Sequence, residues 1–323
     1  MMAQKYFWIG IAGLAALGPF VGEKYLLHVL ILCFIWCMVV AGWDLVMGFA
    51  GIINFAQLVF FAVGAYASAM LSIELDVAPL AAIFISGLIV GCVGLVIGLP
   101  CLRLRGEYVA LFTFAVHLAL PSLIRQGRSV GTGGSTGLMG MPPVEIGGYA
   151  MYTINKLPWY YLALVLAAIA VYLVYFVVLP RKWGRAFVAM RDSETFAKSL
   201  GVNDYKYKLI VFTISAAITG VAGAVYADYV GVVTPNILET EFFLMVMLML
   251  SVGGMGRFPG AVLGAFIITV GNEFLRSAGQ YRLLLLGLAV VATVLFFPNG
   301  LTQLGARKPV VRAASAPRNT SAP

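Results

Sequence analysis

The chain has 323 residues, of which 62% are hydrophobic and 11% are charged. An average soluble domain has about 25% charged residues, so a soluble globular protein is excluded and lipid must solvate much of the surface. The net charge of +8 does not indicate nucleic-acid binding, because the basic residues lie in short connections and tails between apolar segments, where the positive-inside rule places them.

Ten apolar segments, taken in chain order, predict an all-α integral membrane protein, because about 18 or more apolar residues in a row can cross a bilayer. The predicted spans are residues 6–22, 25–42, 56–73, 78–99, 107–124, 158–180, 208–228, 238–254, 259–275 and 283–298. We interpret the first as a retained helix rather than a signal peptide, because no A-x-A site precedes a polar mature region and further spans follow at once.

Glycine-rich segments interrupt this pattern. Residues 43–55 and 254–259 predict broken or re-entrant helices, which a bilayer tolerates only where protein surrounds the irregular backbone. The longest connection, 125–157, is rich in glycine and contains Pro142 and Pro143. That composition predicts a loop rather than a spanning helix.

Charge predicts the orientation of the helices. The connection 181–207 is strongly basic, so the positive-inside rule places it in the cytoplasm. Alternation then puts fifteen of the 21 Lys and Arg residues on the cytoplasmic side. Both termini lie on that side, and the loop 125–157 lies outside. The acidic residues of the other outer connections are Glu74, Asp76, Glu239 and Glu241. We therefore predict one transmembrane domain over residues 1–304 and a disordered cytoplasmic tail over 305–323.

Few residues suggest enzymatic or metal chemistry. Cys33 and Cys37 lie one helical turn apart, but a metal site needs further ligands at matched spacing, and the chain has two histidines. We predict no metal site and no cofactor. The chain has no Gly-Lys dipeptide and hence no P-loop to cradle nucleotide phosphates. Any ATP that powers this protein must be hydrolysed by another chain.

One motif resembles a hydrolase signature. Residues 133–137 match G-x-S-x-G around Ser135, a pattern that needs a strand, a sharp turn and a helix. Here the serine lies in a glycine-rich outer loop with no evident His–Asp pair. We therefore favour a close-packing loop over a catalytic nucleophile.

Three polar residues are candidates for a translocation path: Asn54, Gln57 and His117. A polar group inside a membrane span indicates function by default, although a lone histidine can also bond helix to helix. Asn54 and Gln57 follow a broken glycine segment, where transporters expose backbone groups to substrate. The alternative is that Asn54 only caps a helix that begins near Phe55.

Ion-coupled carriers usually need carboxylates near the bilayer midplane. The acidic residues of the spans instead fall near span ends, at Asp44, Glu107, Asp228 and Glu273. Their positions count against a self-sufficient secondary carrier or channel.

Two glycine rows recur at helical spacing, which lets helix backbones approach closely. They are Gly87, Gly91, Gly94 and Gly98 in one span, and Gly260 and Gly264 in another. Packing within the chain and a subunit interface are the two interpretations.

The cytoplasmic connection predicts an amphipathic helix between Gly184 and Gly201, with Gly201 at its C-terminal cap. This helix either lies on the membrane surface or docks a cytoplasmic partner. In the second case Phe187 fills an apolar pocket of the partner, and Arg185 and Arg191 pair with its acidic groups. Arg191 and Glu194 can also pair with each other on the helix. The candidate ATPase-coupling residues are Gly184, Arg185, Phe187, Arg191, Asp192, Glu194 and Gly201.

Short segments along the chain share a further pattern. They are GFAGIINFAQ at 48–57, GAY at 64–66, LRLRGEY at 102–108, TGGSTGL at 132–138, GRA at 184–186, RD at 191–192 with Glu194, GVN at 201–203, SAAITGVAGA at 215–224, GGMG at 253–256 and PNGL at 298–301. In joint order and spacing, over residues 25–304, they resemble the second permease of branched-chain amino acid ABC importers, in the family that includes ribose-type sugar permeases.

This resemblance implies a permease subunit in the bacterial inner membrane that translocates leucine, isoleucine and valine. Its partners would be a second permease, two cytoplasmic ATP-binding subunits and a periplasmic substrate-binding protein, and the 184–201 helix would sit in a groove of the ATPase. Similar permeases for urea and short amides share most of these motifs. Family members also often carry an acidic residue in the glycine-rich part of the outer loop, where this chain reads Gly134-Ser135-Thr136, so urea or an amide stays open as the substrate.

Overall fold

A computed structural model describes residues 2–18, 23–101, 103–104, 106–146, 149–151, 155–275, 279, 281–296 and 300. The predicted disordered tail over 305–323 lies outside these residues. Within them, each of the ten predicted spans coincides with a helix, although several ends differ by a few residues.

The membrane and connecting helices follow in chain order. They are α1 (Met2–Leu17), α2 (Lys24–Asp44), α3 (Gln57–Glu74), α4 (Pro79–Cys101), α5 (Glu107–Gln126), α6 (Lys156–Tyr172), α7 (Lys182–Asp192), α8 (Glu194–Ser199), α9 (Asp204–Val230), α10 (Thr240–Gly253), α11 (Gly260–Leu275) and α12 (Arg282–Phe296). In the described part of the chain, six helices are long and apolar enough to cross a bilayer: α2, α3, α4, α5, α6 and α9. The protein is therefore a multi-pass, all-α membrane protein.

Two helices end in π-helical turns, Leu45–Phe49 after α2 and Leu173–Val178 after α6. Beyond the first, residues 50–56 are not helical, and Gly51 has a φ of +69°. This segment runs back along α2, because Trp43 Nε1 donates to the Asn54 carbonyl at 2.7 Å. The predicted break is thus an extended segment that re-enters the helical bundle before α3 begins.

Helix α2 forms the centre of the bundle and α5 its edge. Within the most apolar 18-residue window of each span, 89% of the residues of α2 are buried, against 22% of those of α5. A helix that is apolar on all sides is expected in a core. The α2 helix packs against α6, α9 and α11, and α9 packs against both α3 and α4.

Small residues allow the close contact between α9 and its neighbours. A Cβ added to Gly64 would overlap the backbone of Gly220, and one added to Gly223 would overlap the Phe61 carbonyl. Such approaches are typical of membrane helices, where packing rather than the hydrophobic effect drives association.

The connections collect at two ends of the bundle. At one end the turn after α3 meets the loop that follows α5, since Gly131 lies against Glu74. Strand β1 (Leu138–Met139) pairs with β4 (Val232–Val233), and β2 (Val144–Ile146) pairs with β3 (Tyr149–Met151), both antiparallel. The opposite end carries α7, α8 and the turn between α10 and α11. This division matches the acidic and basic connections that the sequence separates.

Candidate coupling and translocation sites

The extended segment before α3 satisfies its backbone with polar side chains. Phe55 N–H donates to Thr113 Oγ1 on α5 at 3.0 Å, and Ala56 N–H donates to Asn54 Oδ1 at 2.9 Å. Asn54 is fully buried. It therefore stabilises the turn before α3 rather than capping a helix that begins near Phe55, since α3 begins at Gln57 and no side chain caps it.

Gln57 joins three helices. Its Nε2 donates to Thr219 Oγ1 and, at 3.2 Å, to Ser215 Oγ, both on α9, and it lies 3.5 Å from the Val39 carbonyl on α2. Asn54 Nδ2 also donates to Gln57 Oε1 at 3.4 Å. The structure thus brings Asn54 and Gln57 together in a polar cluster inside the bundle, with Gln57 only 1% exposed.

His117 lies apart from this cluster, in an aromatic group. Its ring lies 5.2 Å from the ring of Phe243 on α10 and 6.2 Å from that of Phe114, between centroids. Phe55 from the extended segment also contacts Phe114 and Phe243. Within the described residues His117 Nδ1 has no hydrogen-bond partner. The aromatic group therefore surrounds the buried imidazole of His117, next to the non-helical segment that precedes α3.

The predicted cytoplasmic helix is two helices. Ser193 ends α7 with extended backbone and caps α8, because its Oγ accepts a hydrogen bond from Phe196 N–H at 3.3 Å. Serine competes for helical hydrogen bonds and favours the N-cap position. A single helix from Gly184 to Gly201 is therefore wrong, although Gly201 does take a positive φ of +83° after the second helix.

Phe187 is not available to a partner. Its side chain is fully buried and packs edge-on against Tyr207 of α9, at 6.2 Å between ring centroids. The expectation that it fills an apolar pocket of the ATPase is wrong. Among the exposed apolar residues of this region are Trp183, Phe196 and Leu200, which are 41%, 63% and 67% exposed and which the amphipathic pattern did not single out.

The pairing of Arg191 also differs from the prediction. It contacts Asp192 at 3.4 Å rather than Glu194, and its Nη1 donates to the Gly48 carbonyl at 2.9 Å. Its aliphatic stem lies over Gly51, where a Cβ would come within 2.6 Å of Arg191 Cγ. Arg191 thus binds α7 to the break after α2.

Gly184 and Arg185, at the start of α7, have different surroundings. Gly184 lies so close to Leu179 that an added Cβ would overlap the backbone of Leu179, whereas Arg185 is exposed.

Glu194 belongs to an ion-pair cluster that fixes α8 to α9. Its carboxylate accepts from Lys198 Nζ at 3.0 Å and lies 3.1 Å from Lys208 Nζ, while Lys198 also pairs with Asp204 at 2.9 Å. Burial raises the pKa of Glu194, but hydrogen bonds from the two lysines outweigh it and leave that pKa below the ordinary value. Hydrogen bonds to Asp204 and Glu194 raise the pKa of Lys198.

Both glycine rows face neighbouring helices of this chain. Gly87 lies against Val221, and Gly94 lies against Ala216, both on α9. Gly91 and Gly98 continue the same contact. Gly260 and Gly264 lie against α10 near Gly253. The geometry corresponds to packing within the chain rather than to a subunit interface.

The remaining motifs carry no visible chemistry. Ser135 lies in a turn between a 3₁₀ turn and β1, without the strand–turn–helix that a nucleophile elbow requires. His28 bonds Tyr229 at 2.5 Å and His117 lies among aromatic rings, so neither activates this serine. No cluster of potential metal ligands occurs among the described residues.

The chain belongs to the family described as branched-chain amino acid transport system / permease component, whose model matches residues 25–296. Its relatives are permease components of ABC transporters, in keeping with the membrane-spanning helices of this chain.

Among curated proteins, it is 28% identical over 319 residues to the high-affinity branched-chain amino acid transport system permease protein LivM of Escherichia coli K12, covering 92% of this chain and 75% of that protein. It is 24% identical to LivH of Salmonella typhimurium, covering 82% of this chain and 90% of LivH. The fructose import permease FrcC of Rhizobium meliloti is 29% identical over 40% of this chain and 38% of its own length. No solved structure matches the chain with significance.

Proposed function

We propose that this chain is one of two different permease subunits of an ABC importer that carries branched-chain amino acids across the bacterial inner membrane. The observation that carries the proposal is the similarity to LivM over 92% of the chain, supported by helices at the predicted span positions. ATP hydrolysis falls to two partner ATPases, and a periplasmic binding protein delivers the substrate. The basic end of the bundle, with α7, α8 and both termini, faces the cytoplasm.

The substrate path follows the exposed face of α5. Only Val109, Thr113, His117 and Ile124 of this 20-residue helix are buried, and Phe114 is 39% exposed. A long helix at the edge of the bundle leaves a surface for the second permease, so the path forms between two subunits. Phe114, from the aromatic group around His117, lines this path, and the buried residues His117, Asn54 and Gln57 lie behind it in the bundle.

Coupling to the ATPase uses α7 and α8. The short helix α8 and its C-cap expose Phe196 and Leu200, and a few buried residues, often aromatic, carry most of the binding energy of a typical protein interface. Arg185 and Asp192 border this surface as exposed charges. The ion-pair cluster around Glu194 fixes the surface to α9.

Substrate class is tested on the partner binding protein, whose pocket selects what the permease receives. Purified binding protein from the same transporter is titrated with leucine, isoleucine, valine, urea and acetamide in a calorimeter. Tight binding of the branched-chain amino acids and none of urea is the expected result. Binding of urea or acetamide without leucine binding would show that the same machine carries an amide.

A further inference from the structure

Five residues at the basic end of the bundle form a cluster that we call the Asp44 junction: Asp44, Gly48, Tyr175, Arg191 and Gly256. They come from α2 and its π-turn, the π-turn of α6, helix α7 and the turn between α10 and α11. Three membrane elements and one cytoplasmic helix thus meet at one point.

Asp44 is the centre of the junction. Its side chain is fully buried. Oδ1 accepts a hydrogen bond from Gly256 N–H at 2.7 Å, and Oδ2 accepts one from the Tyr175 hydroxyl at 2.8 Å. A buried carboxyl group is costly unless hydrogen bonds satisfy it. One side chain therefore fixes the relative positions of α2, α6 and the α10–α11 turn.

Arg191 connects this centre to the cytoplasmic helices through Gly48. Arg191 Nη1 donates to the Gly48 carbonyl at 2.9 Å. A Cβ on Gly48 would overlap both the Asp44 carboxyl group and the Gly256 backbone. Gly256 itself has a φ of +70° and lies against the same carbonyl. The contacts are thus continuous from α7 to all three membrane elements.

Both membrane helices of the junction leave α-helical geometry at this level. Asp44 directly precedes the π-turn Leu45–Phe49, and Tyr175 lies within the π-turn Leu173–Val178. Turns of this kind are rare and are frequently found at functional sites. Each π-turn lies next to a hydrogen bond of the junction.

We propose that the Asp44 junction transmits movement of α7 and α8 to α2, α6 and the α10–α11 turn, so that Asp44 and Tyr175 act as positioning residues in energy coupling. The proposal rests on the proposed function, in which α7 and α8 dock the ATPase. Loss of a junction hydrogen bond separates hydrolysis from transport without detaching the ATPase. Loss of such a hydrogen bond therefore differs from damage to the docking surface, which would detach the ATPase.

The test compares four variants of the full transporter in proteoliposomes. Tyr175→Phe removes one hydroxyl and keeps the ring that packs on Phe258, 5.0 Å away between centroids. Arg191→Met removes the donor to Gly48 and keeps an unbranched stem over Gly51, whereas Arg191→Lys retains a donor. Tyr281→Phe changes an exposed tyrosine away from the junction and serves as the matched control.

Co-elution of the ATPase, basal hydrolysis, and leucine taken up per ATP hydrolysed are measured for each variant. We expect Tyr175→Phe to co-elute normally and keep basal hydrolysis, while uptake per ATP falls about tenfold, as for one buried hydrogen bond left unmade. In complexes that retain the ATPase, Arg191→Met should lower uptake per ATP by a similar factor. Arg191→Lys recovers most of the ratio, and Tyr281→Phe matches the wild type.

If uptake per ATP hydrolysed were unchanged in both Tyr175→Phe and Arg191→Met while the wild type is active, the proposed role of the Asp44 junction would be wrong. The proposed function would not be affected. Failure of both variants to assemble would also overturn it, since the cluster would then serve only the fold. A wild-type complex without ATP-dependent uptake would instead overturn the proposed function, and the role of the junction with it.

Discussion

Gln57 lies where α2, α3 and α9 meet, and its amide bonds two hydroxyl groups of α9 inside the bundle. Replacing it with alanine leaves Ser215 and Thr219 without that partner, at a cost of roughly 1–3 kcal/mol for each unsatisfied group. We expect Gln57→Ala to lower the melting temperature of the purified complex in detergent. Uptake should fall only in proportion to the folded fraction.

The control for this substitution is Gln126→Ala, at an exposed position at the end of α5, which should leave the melting temperature unchanged. If Gln57→Ala melts like the wild type while uptake is lost, Gln57 contacts substrate after all. The wall of the path then includes the polar cluster.

At this scale the sequence identified which residues are polar and central, but not what they contact. Asn54 and Gln57 stand out because they follow a broken glycine segment. Their partners, Trp43, Ser215 and Thr219, are up to 162 positions away in the chain, so no local pattern predicts them. Phe187 shows the converse: helical spacing placed it on an apolar face but could not tell whether that face meets this chain or a partner.

The contact between α9 and its neighbours depends on glycines at particular positions. A Cβ at Gly223 would overlap the Phe61 carbonyl, whereas one at Gly91 would lie 3.4 Å from Ala217 Cβ, an ordinary contact. We expect Gly223→Ala to destabilise the protein by roughly 1–3 kcal/mol, as overpacking does. Gly91→Ala should be neutral or slightly stabilising, because alanine favours helices.

Thermal melting of the two glycine variants in the same detergent provides the comparison. Equal melting temperatures for Gly223→Ala and Gly91→Ala would contradict the close packing of α3 on α9.

The exposed face of α8 gives a second prediction for an element. Replacing both Phe196 and Leu200 with alanine removes the apolar anchors of the proposed docking surface. We expect the ATPase to be lost on size-exclusion chromatography while the membrane part elutes as a single folded species. The control is Phe274→Ala, which removes an aromatic residue, 77% exposed, from α11. Retention of the ATPase by the double variant would place docking elsewhere.

The ion pairs of Glu194 make the attachment of α8 to α9 depend on pH. The lowered pKa of Glu194 means that its ionised form stabilises the fold above its ordinary value of 4.5, and this stability is lost as pH falls through the lowered pKa. The raised pKa of Lys198 means that its contribution is present below 10.5 and is lost as pH rises through the raised value.

Hydrogen-exchange protection of residues 194–208, corrected for intrinsic rates, should therefore be constant between about pH 5 and pH 10 and decrease under stronger acid. Glu194→Gln should reduce protection at neutral pH and weaken the decrease in acid. The same acid dependence in wild type and variant would show that Glu194 does not fix α8.

Helices were the elements that the sequence predicted best, because an apolar run of membrane length rarely forms anything but a spanning helix. The break at Ser193 was missed because Phe187, Met190 and Ala197 keep helical spacing across it. The short strands were missed as well, since two or three residues per strand give no periodicity. Their pairing joins β1 to β4, more than 90 positions apart.

For the whole molecule, the charges of the connections and their positions in the structure define the same two ends of the bundle. The acidic connections and the glycine-rich loop share one end of the bundle, and the basic helices α7 and α8 share the other with the turn after α10. Alternation of ten spans predicts this division from the sequence alone. The segment before α3 was predicted as a broken or re-entrant helix. Its course along α2 was not predicted, because that course depends on the hydrogen bond that Trp43 donates to the Asn54 carbonyl and on the one that Thr113 accepts from Phe55 N–H.

In the proposed function, this chain transports only as part of an ATP-driven complex. The most direct measurement is uptake of labelled leucine into proteoliposomes that contain this chain, the second permease and the two ATPases, with binding protein outside and ATP trapped inside. We expect accumulation that requires hydrolysable ATP and that is absent when the purified chain is reconstituted alone. Accumulation by the chain alone, driven by a proton or sodium gradient, would contradict the proposed function.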